Sequence, residues 1–286
     1  MNKRSVRIGG GMLAVLTVGS GLFGGACRLT CPAVAETLPG VVQTGPNGRP
    51  PPSPAAPRIA EGEDYDRCLG LLGTDPRGAY AFADAWEATG GGDGATHCRA
   101  LAEVTLGAPE KGAEIMEKLA NASQREPAAR ASVYGQAGQA WLMAGEPGRA
   151  FGAATLALSL TPDDPSLLID RSIAAASLER YDDAVDDLTR ALDLDPRRTE
   201  ALVFRGAAWR HLNQLGLAED DIDRAFALDP ENADAVLERG ILRQRRGDCA
   251  GARQDWEHAI ALSPSNATGK LAQRNLELLE AGPSRR

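Results

Sequence analysis

The chain has 286 residues, of which 43% are hydrophobic and 24% are charged, and its formal net charge is −8. The apolar content is sufficient for a folded body, and the mean hydropathy of −0.26 excludes a protein made mainly of membrane-spanning helices. The acidic balance argues against nucleic acid as a partner, because phosphate binding requires a concentrated surface of Lys and Arg. Only 5% of residues are aromatic, so we expect a core built largely of Ala and Leu.

The N-terminus has the pattern of a targeting segment. Lys and Arg among the first seven residues precede an uncharged stretch at 8–26, and Ala33-Val34-Ala35 forms a small-x-small cleavage site. We therefore predict that residues 1–35 are a signal peptide, cleaved after Ala35, and that the protein is exported to a periplasmic or extracellular location. Two alternatives stay open, namely lipoprotein processing at Cys27 and a retained membrane anchor. Membrane contact is expected only in those two cases.

Export determines the expected cysteine chemistry. Cleavage leaves three cysteines in the mature chain, at positions 68, 98 and 249. In an oxidising compartment Cys68 and Cys98 are predicted to form a disulfide, and closing this loop contributes about 3–4 kcal/mol by chain entropy. Cys249 is predicted to be a half-buried thiol without a partner. The spacings of these cysteines predict no metal site.

After the cleavage site the composition is that of a linker. Residues 36–60 are rich in Pro and Gly and include Pro50-Pro51-Pro52, so we predict a disordered, extended tether. The open alternative is that this proline-rich segment serves as a peptide ligand. From about residue 61 the pattern is helical to the end of the chain.

A fixed period organises the helical part of the chain. Prolines recur every 34 residues, each preceded by a small apolar run, at positions 162, 196, 230 and 264. Place 8 of each 34-residue unit is small, as Gly138, Ser172, Gly206 and Gly240, and places 20 and 27 are always Ala. A bulky side chain at these places would force helix axes beyond the usual separation of about 8–10 Å. The period and its small residues resemble those of the tetratricopeptide repeat (TPR) family.

The resemblance to the TPR family is strong across residues 131–280. Four units match in register, at 131–164, 165–198, 199–232 and 233–266. The resemblance implies an all-α, right-handed superhelical solenoid of antiparallel helix hairpins, closed by a C-terminal capping helix. We predict degenerate hairpins over 61–126, the TPR array with its capping helix over 127–280, and a short tail over 281–286.

The sequence shows no catalytic constellation. The three histidines, at positions 97, 211 and 258, lie on separate helical segments without metal-ligand spacing. No nucleophile elbow or phosphate-binding loop is found. The acidic runs at 182–187 and 219–223 have helical spacing, so we predict solvated outer faces rather than calcium loops. The chain is therefore predicted to be no enzyme, with no cofactor, no metal and no small-molecule substrate.

The resemblance implies that the first helix of each unit lines a concave groove. Places 5 and 9 of three successive units form an apolar stripe there, with polar residues along its edge. The predicted groove residues are Ile169, Ile173, Val203, Ala207, Arg210, His211, Leu237, Ile241, Gln244 and Arg245. We predict that the groove binds an apolar peptide or helix with acidic neighbours. The open alternative is that part of the stripe packs against neighbouring helices as core.

These features together predict a protein–protein interaction scaffold in the cell envelope. The expected partner is a protein or peptide. The alternative is a regulatory or stabilising subunit of an envelope enzyme or assembly machine.

Overall fold

The computed structural model describes residues 57–281, and the signal-peptide prediction and most of the linker prediction lie outside that range. Thirteen α-helices and no strand are found within it. In chain order these are α1 Glu63–Leu72, α2 Pro76–Ala88, α3 Gly92–Thr105, α4 Pro109–Ala122, α5 Pro127–Met143, α6 Pro147–Leu160, α7 Pro165–Ser177, α8 Tyr181–Leu194, α9 Thr199–His211, α10 Leu215–Leu228, α11 Ala233–Arg245, α12 Cys249–Leu262 and α13 Ala267–Ala281.

Consecutive helices pair as hairpins that stack along the chain. Each helix packs most closely on its neighbours in sequence, and the odd-numbered helices also contact each other across hairpins, as α5 does with α7 and α9 with α11. The odd-numbered helices therefore lie on the inner side of the stack, and the even-numbered helices form its outer side. The predicted all-α solenoid of helix hairpins is confirmed, and α13 packs on α11 and α12 as the predicted capping helix.

Local signals explain where the helices begin. Proline stands in the first turn of α2, α4, α5, α6 and α7, where its missing N–H leaves no hydrogen bond unmade. The Asp164 carboxylate caps α7 by accepting from the backbone N–H groups of Ser166 and Leu167. Asn232 caps α11 in the same way, accepting from the N–H of Ala235 at 3.0 Å.

Five successive hairpins, from α3–α4 to α11–α12, have a left-handed residue at the turn between their two helices. These residues are Gly107 (φ 89°), Gly145 (77°), Glu179 (60°), Asn213 (58°) and Gly247 (85°). Gly adopts this conformation without steric penalty, and Asn tolerates it better than other residues do. Glu179 alone in this set combines the left-handed backbone with a long side chain.

The small residues at place 8 lie where the two helices of a hairpin approach most closely. A Cβ atom added at Gly206 would lie 2.9 Å from the Ile222 side chain, and one at Gly240 would lie 2.5 Å from Nε1 of Trp256. Ser172 fits the same place because its hydroxyl turns back and donates to the carbonyl of Ile169 at 2.7 Å. The period is thus a direct consequence of helix contact.

The N-terminal end of the stack carries a disulfide. Cys68 on α1 and Cys98 on α3 are bonded, with their Cα atoms 6.2 Å apart, and both are fully buried. This pairing confirms the predicted disulfide and joins the first helices of two adjacent hairpins. The prediction of an unpaired thiol at Cys249 is wrong, because Cys249 is disulfide-bonded. Within the described range no helix has the length and apolar character needed to cross a membrane.

Candidate functional site

Most of the apolar stripe predicted to line the groove belongs to the hydrophobic core. Five of its six residues are at most 2% exposed: Ile169, Val203, Ala207, Leu237 and Ile241. Ile173 is half-buried and packs against the core. The helices of successive hairpins stack closely enough to cover these side chains, so a partner does not reach them. The prediction of an open apolar groove is therefore wrong for these five residues.

The polar residues along the edge of the predicted groove also interact with other residues of the same chain. The side chains of Arg210 and Glu238 are both fully buried, and Nε of Arg210 donates to Oε2 of Glu238 at 2.9 Å. The guanidinium predicted to hold an acidic ligand therefore joins α9 to α11 instead. Gln244 is buried and Arg245 half-buried, and both take part in interactions within the protein.

His211 stacks on the ring of Tyr181, with the ring centroids 4.4 Å apart. Burial, together with the neighbouring charge of Arg210, lowers the pKa of His211 to about 4. Its imidazole is therefore neutral near pH 7 and contributes stacking rather than charge. His211 consequently offers no positive charge to an acidic ligand.

The sequence interpretation missed an ion pair that recurs in three units. Arg at place 7 of the first helix pairs with Asp at place 23 of the second, 16 residues later. The pairs are Arg171–Asp187, Arg205–Asp221 and Arg239–Asp255, each with two hydrogen bonds of 2.6–3.1 Å. The unit 131–164 has Ala137 and Ala153 at the same two places.

These pairs correct the interpretation of the acidic runs as solvated faces. The side chains of Asp187, Asp221 and Asp255 are 9%, 5% and 4% exposed, so within the two runs Asp187 and Asp221 are structural. The signal was present in the sequence, since Arg and Asp recur with the same 34-residue period as the prolines. Asp182, Asp183 and Asp186 are exposed as predicted.

The inner side of α5 and α7 carries an open groove of about 990 Å³. Most of the side chains that line it are polar, among them Ser132, Gln136, Gln139, Ser166, Asp170 and Arg198. Pro57, at the start of the described range, also borders this groove. Hydroxyl, amide and charged groups supply both donors and acceptors here. This arrangement can hold an extended chain by hydrogen bonds and charge.

Asp170 is the central carboxylate of the groove. The amide nitrogen of Gln139 donates to both of its oxygens at 3.2 Å. Burial raises the pKa of Asp170 to about 7, and the charges of Glu200 and Asp164 act in the same direction. Neighbouring groups partly shield the carboxylates of Glu200 on α9 and Asp234 on α11 from water and so raise their pKa values as well, although Glu200 is still exposed at the surface. A row of carboxylates thus crosses three successive inner helices, and within it Asp234 accepts a hydrogen bond from Thr268 of α13 at 2.6 Å.

A buried hydrogen-bond chain supports the groove from the N-terminal side. His97 on α3 is 4% exposed. Its Nδ1 lies 2.6 Å from the hydroxyl of Tyr65 on α1, and its Nε2 lies 2.5 Å from Oε1 of Gln136 on α5. Because that oxygen only accepts, Nε2 of His97 carries the proton and Nδ1 accepts from Tyr65. The chain fixes Gln136 at the edge of the groove. Within residues 57–281 no cluster of three or more His, Cys, Asp and Glu side chains is arranged to hold a metal ion.

The chain matches no protein-family model and no curated protein. Solved structures do resemble it. The APC/C hetero-tetramer Cut9–Hcn1 aligns at 16% identity over 74% of this chain and 42% of that one, with a TM-score of 0.58. The MamA RS-1 ArsTM double mutant aligns at 17% identity over 72% of this chain and 97% of that one, with a TM-score of 0.50. This chain therefore spans less than half the length of the first of these structures.

Both of these structures are TPR proteins. At such identities the likeness concerns the fold alone. Thirteen helices stacked as hairpins with a 34-residue period give the same architecture in this chain. The described part of the chain has the fold of a TPR solenoid.

Proposed function

We propose that this chain is a non-catalytic interaction scaffold that binds a segment of a protein partner along its inner face. The observation that carries the proposal is the polar groove on α5 and α7, which continues as a row of carboxylates on α9 and α11. A solenoid holds such a row in a fixed spacing, because each hairpin contacts only its neighbours. The surface thereby suits a chain that extends across several repeats. The Cut9–Hcn1 structure contains the same fold in a complex of two different proteins, although the likeness concerns the fold alone.

Burial of the predicted apolar stripe argues for a ligand other than the predicted apolar helix. An apolar ligand needs apolar surface that it can cover, and five residues of the predicted stripe are already buried. Asp170, Glu200 and Asp234 favour a ligand with Lys or Arg side chains. Gln139 and Ser132 can hydrogen-bond its backbone. We therefore propose a basic, extended peptide segment as the ligand.

We further propose that the protein is exported and acts in the cell envelope. Support comes from residues 1–35, where a basic segment is followed by an uncharged stretch and then by a small-x-small cleavage site. The bond between Cys68 and Cys98 fits an oxidising compartment.

Cys249 is disulfide-bonded and Cys68 pairs with Cys98, and the other two cysteines of the chain, Cys27 and Cys31, would both be removed by cleavage after Ala35. Determination of the N-terminal residue of the protein purified from its own cells therefore tests both location and processing: Glu36 indicates cleavage after Ala35, and Cys27 indicates lipoprotein processing, which keeps both cysteines. An intact N-terminus at Met1 would contradict cleavage.

The binding proposal is tested by placing a photoreactive amino acid at one position on each side of the solenoid. Ser166 lines the inner groove and is exposed, and Asp186 is exposed on α8. After irradiation in the protein's own cells, the same partner should be attached to the Ser166 probe and absent from the Asp186 probe. A partner attached equally at both positions, or only at Asp186, would overturn the inner-face proposal.

A further inference from the structure

We propose that the outer side of the solenoid carries a second binding surface, a groove between α4 and α6 that takes a protein segment with a large apolar side chain next to Asp or Glu. This outer groove is separate from the inner face and does not depend on the function proposed for that face. It lies at a place in the repeat where three units supply a bridging side chain and the unit 131–164 does not.

In three units the Arg at place 7 fills the space between two successive outer helices. Each guanidinium bonds the Asp at place 23 of its own unit and also contacts a side chain of the preceding outer helix. These second contacts are Arg171 over the ring of Phe151 at 5.7 Å from its centroid, Arg205 to the hydroxyl of Thr189 at 3.1 Å, and Arg239 over the ring of Phe226 at 3.7 Å from its centroid. The chain itself therefore occupies these three spaces.

The equivalent place between α4 and α6 has only small side chains. Place 7 of α5 is Ala137, and place 23 on α6 is Ala153. A groove of about 710 Å³ lies between α4 and α6, and Ala153 lines it. The apolar part of the lining also includes Tyr134, Phe151 and Leu156, of which Leu156 is 48% exposed. An apolar side chain of a partner can therefore cover surface here that water still reaches.

The charges around the outer groove favour a carboxylate on the partner. Glu117 is already engaged, because it accepts from Nε1 of Trp141 at 2.8 Å and pairs with Arg149. Arg149 also pairs with Glu114 at 3.5 Å. Lys118 lines the groove, is exposed, and has no ion-pair partner within the described stack. Its ammonium group is therefore the charge that can attract Asp or Glu of a partner.

The shape of the outer groove favours a protein segment over a small molecule. A small-molecule site usually buries at least about 70% of the surface of its ligand, whereas this groove is open along the outer side. A segment of a protein needs to cover only one apolar face when it lies in a groove between helices. The apolar side chain of such a segment contacts the lining around Leu156, and its acidic neighbour pairs with Lys118.

The outer groove is tested by selection from a displayed library of random peptides on the full chain. Peptides that bind the wild type but not Leu156→Asp should be enriched about threefold or more, relative to the starting library, in Asp or Glu next to a large apolar residue. The same selection on Lys118→Glu should enrich Lys or Arg beside the apolar residue instead. Lys111→Glu is the matched control and should keep the acidic preference, since Lys111 is exposed on α4 and does not line the groove.

An enriched peptide is then synthesised and titrated with each variant by fluorescence anisotropy. Leu156→Asp should weaken its binding about tenfold or more, and Lys118→Glu about threefold or more. Glu200→Lys changes the inner face and should leave the affinity for this peptide unchanged. Thr155→Arg, at another exposed position of the outer groove, replaces Leu156→Asp if that variant does not fold.

The proposal is wrong if the wild type and Leu156→Asp enrich the same peptides, or if the enriched peptides are apolar without acidic residues. Failure to enrich any peptide that depends on Leu156 contradicts it as well. None of these results bears on the inner face, because binding there is measured separately with Glu200→Lys.

Discussion

Glu179 adopts a left-handed backbone conformation, whereas the equivalent turns of the neighbouring hairpins have Gly or Asn in this conformation. Its φ of 60° matches that of Asn213 at 58° and is close to that of Gly145 at 77°. The left-handed region costs a residue with a Cβ about 1–2 kcal/mol. Replacing Glu179 by Gly removes this cost. Gly also has more backbone freedom in the unfolded chain, which offsets part of the stabilisation. Glu179→Gly should therefore raise the free energy of unfolding by about 0.5–1 kcal/mol in urea denaturation.

The control for this variant is Glu179→Ala, which removes the carboxylate and keeps the Cβ. It should give no comparable gain. Equal stabilisation by Ala and Gly would show that the charge, and not the left-handed backbone, is the source of the strain.

Asp170 should make stability depend on pH in a direction opposite to that of most carboxylates. Its pKa is raised to about 7 in the folded protein, from an ordinary value of 3.8. Between these values the unfolded chain loses the proton while the folded chain keeps it, so this group's contribution to stability falls as pH rises from 4 to 7. Asp170→Asn should therefore stabilise the protein more at pH 8 than at pH 4.5. Because water reaches part of this carboxylate, we expect a difference of about 1–2 kcal/mol.

Denaturation of both proteins at the two pH values measures this difference. Asp186→Asn, at an exposed position on α8, is the matched control and should change stability little at either pH. If Asp170→Asn raised the free energy of unfolding more at pH 4.5 than at pH 8, the raised pKa of Asp170 in the folded protein would be contradicted.

At the scale of the helix pair, the Arg–Asp bridges connect the two helices of a hairpin. Asp221 is 5% exposed and accepts two hydrogen bonds from Arg205. Asp221→Ala leaves that guanidinium with Thr189 as a hydrogen-bond partner, and we expect a loss of about 1–3 kcal/mol. The double variant Arg205→Ala with Asp221→Ala reproduces the natural combination of Ala137 and Ala153.

The double variant should lose less than the sum of the two single variants, because it removes the unpaired charge together with its partner. Urea denaturation of the wild type, both single variants and the double variant gives the coupling between the two residues. Strict additivity of the two single losses would show that the bridge contributes nothing.

The helix pairs also show why the fold was predictable and much of the site was not. Gly206 and Gly240 constrain contacts within one hairpin, so their period alone was enough to predict the repeat. Leu237 and Ile241 are buried because successive hairpins stack closely. The distance between stacked hairpins cannot be inferred from the period of the sequence. The pairing of Arg210 with Glu238 joins different units and has no counterpart in the neighbouring ones, so no repeat pattern indicates it.

At the scale of the whole described stack, each hairpin is stabilised by its neighbours, and the two ends need separate protection. The bond between Cys68 and Cys98 supplies it at the N-terminal end. Replacing both cysteines by Ala should lower the free energy of opening of α1–α3 by about 3–4 kcal/mol. Hydrogen exchange should accelerate there and remain unchanged in α9–α12. Uniform acceleration along the chain would contradict nearest-neighbour stabilisation.

The inner carboxylate row is the surface on which the proposed function depends. Glu200 lies in the first turn of α9 and Asp182 in the first turn of α8, and both side chains are exposed. Reversal of either charge therefore disturbs its helix to a similar extent, and the two variants differ in which side of the solenoid they change.

The most direct measurement is calorimetric titration of the photo-captured partner, or of its attached segment, into wild type, Glu200→Lys and Asp182→Lys. The account predicts that Glu200→Lys weakens binding about tenfold or more, equivalent to about 1.4 kcal/mol, and that Asp182→Lys leaves the affinity unchanged. Unchanged affinity in Glu200→Lys together with a loss in Asp182→Lys would contradict binding by the inner face.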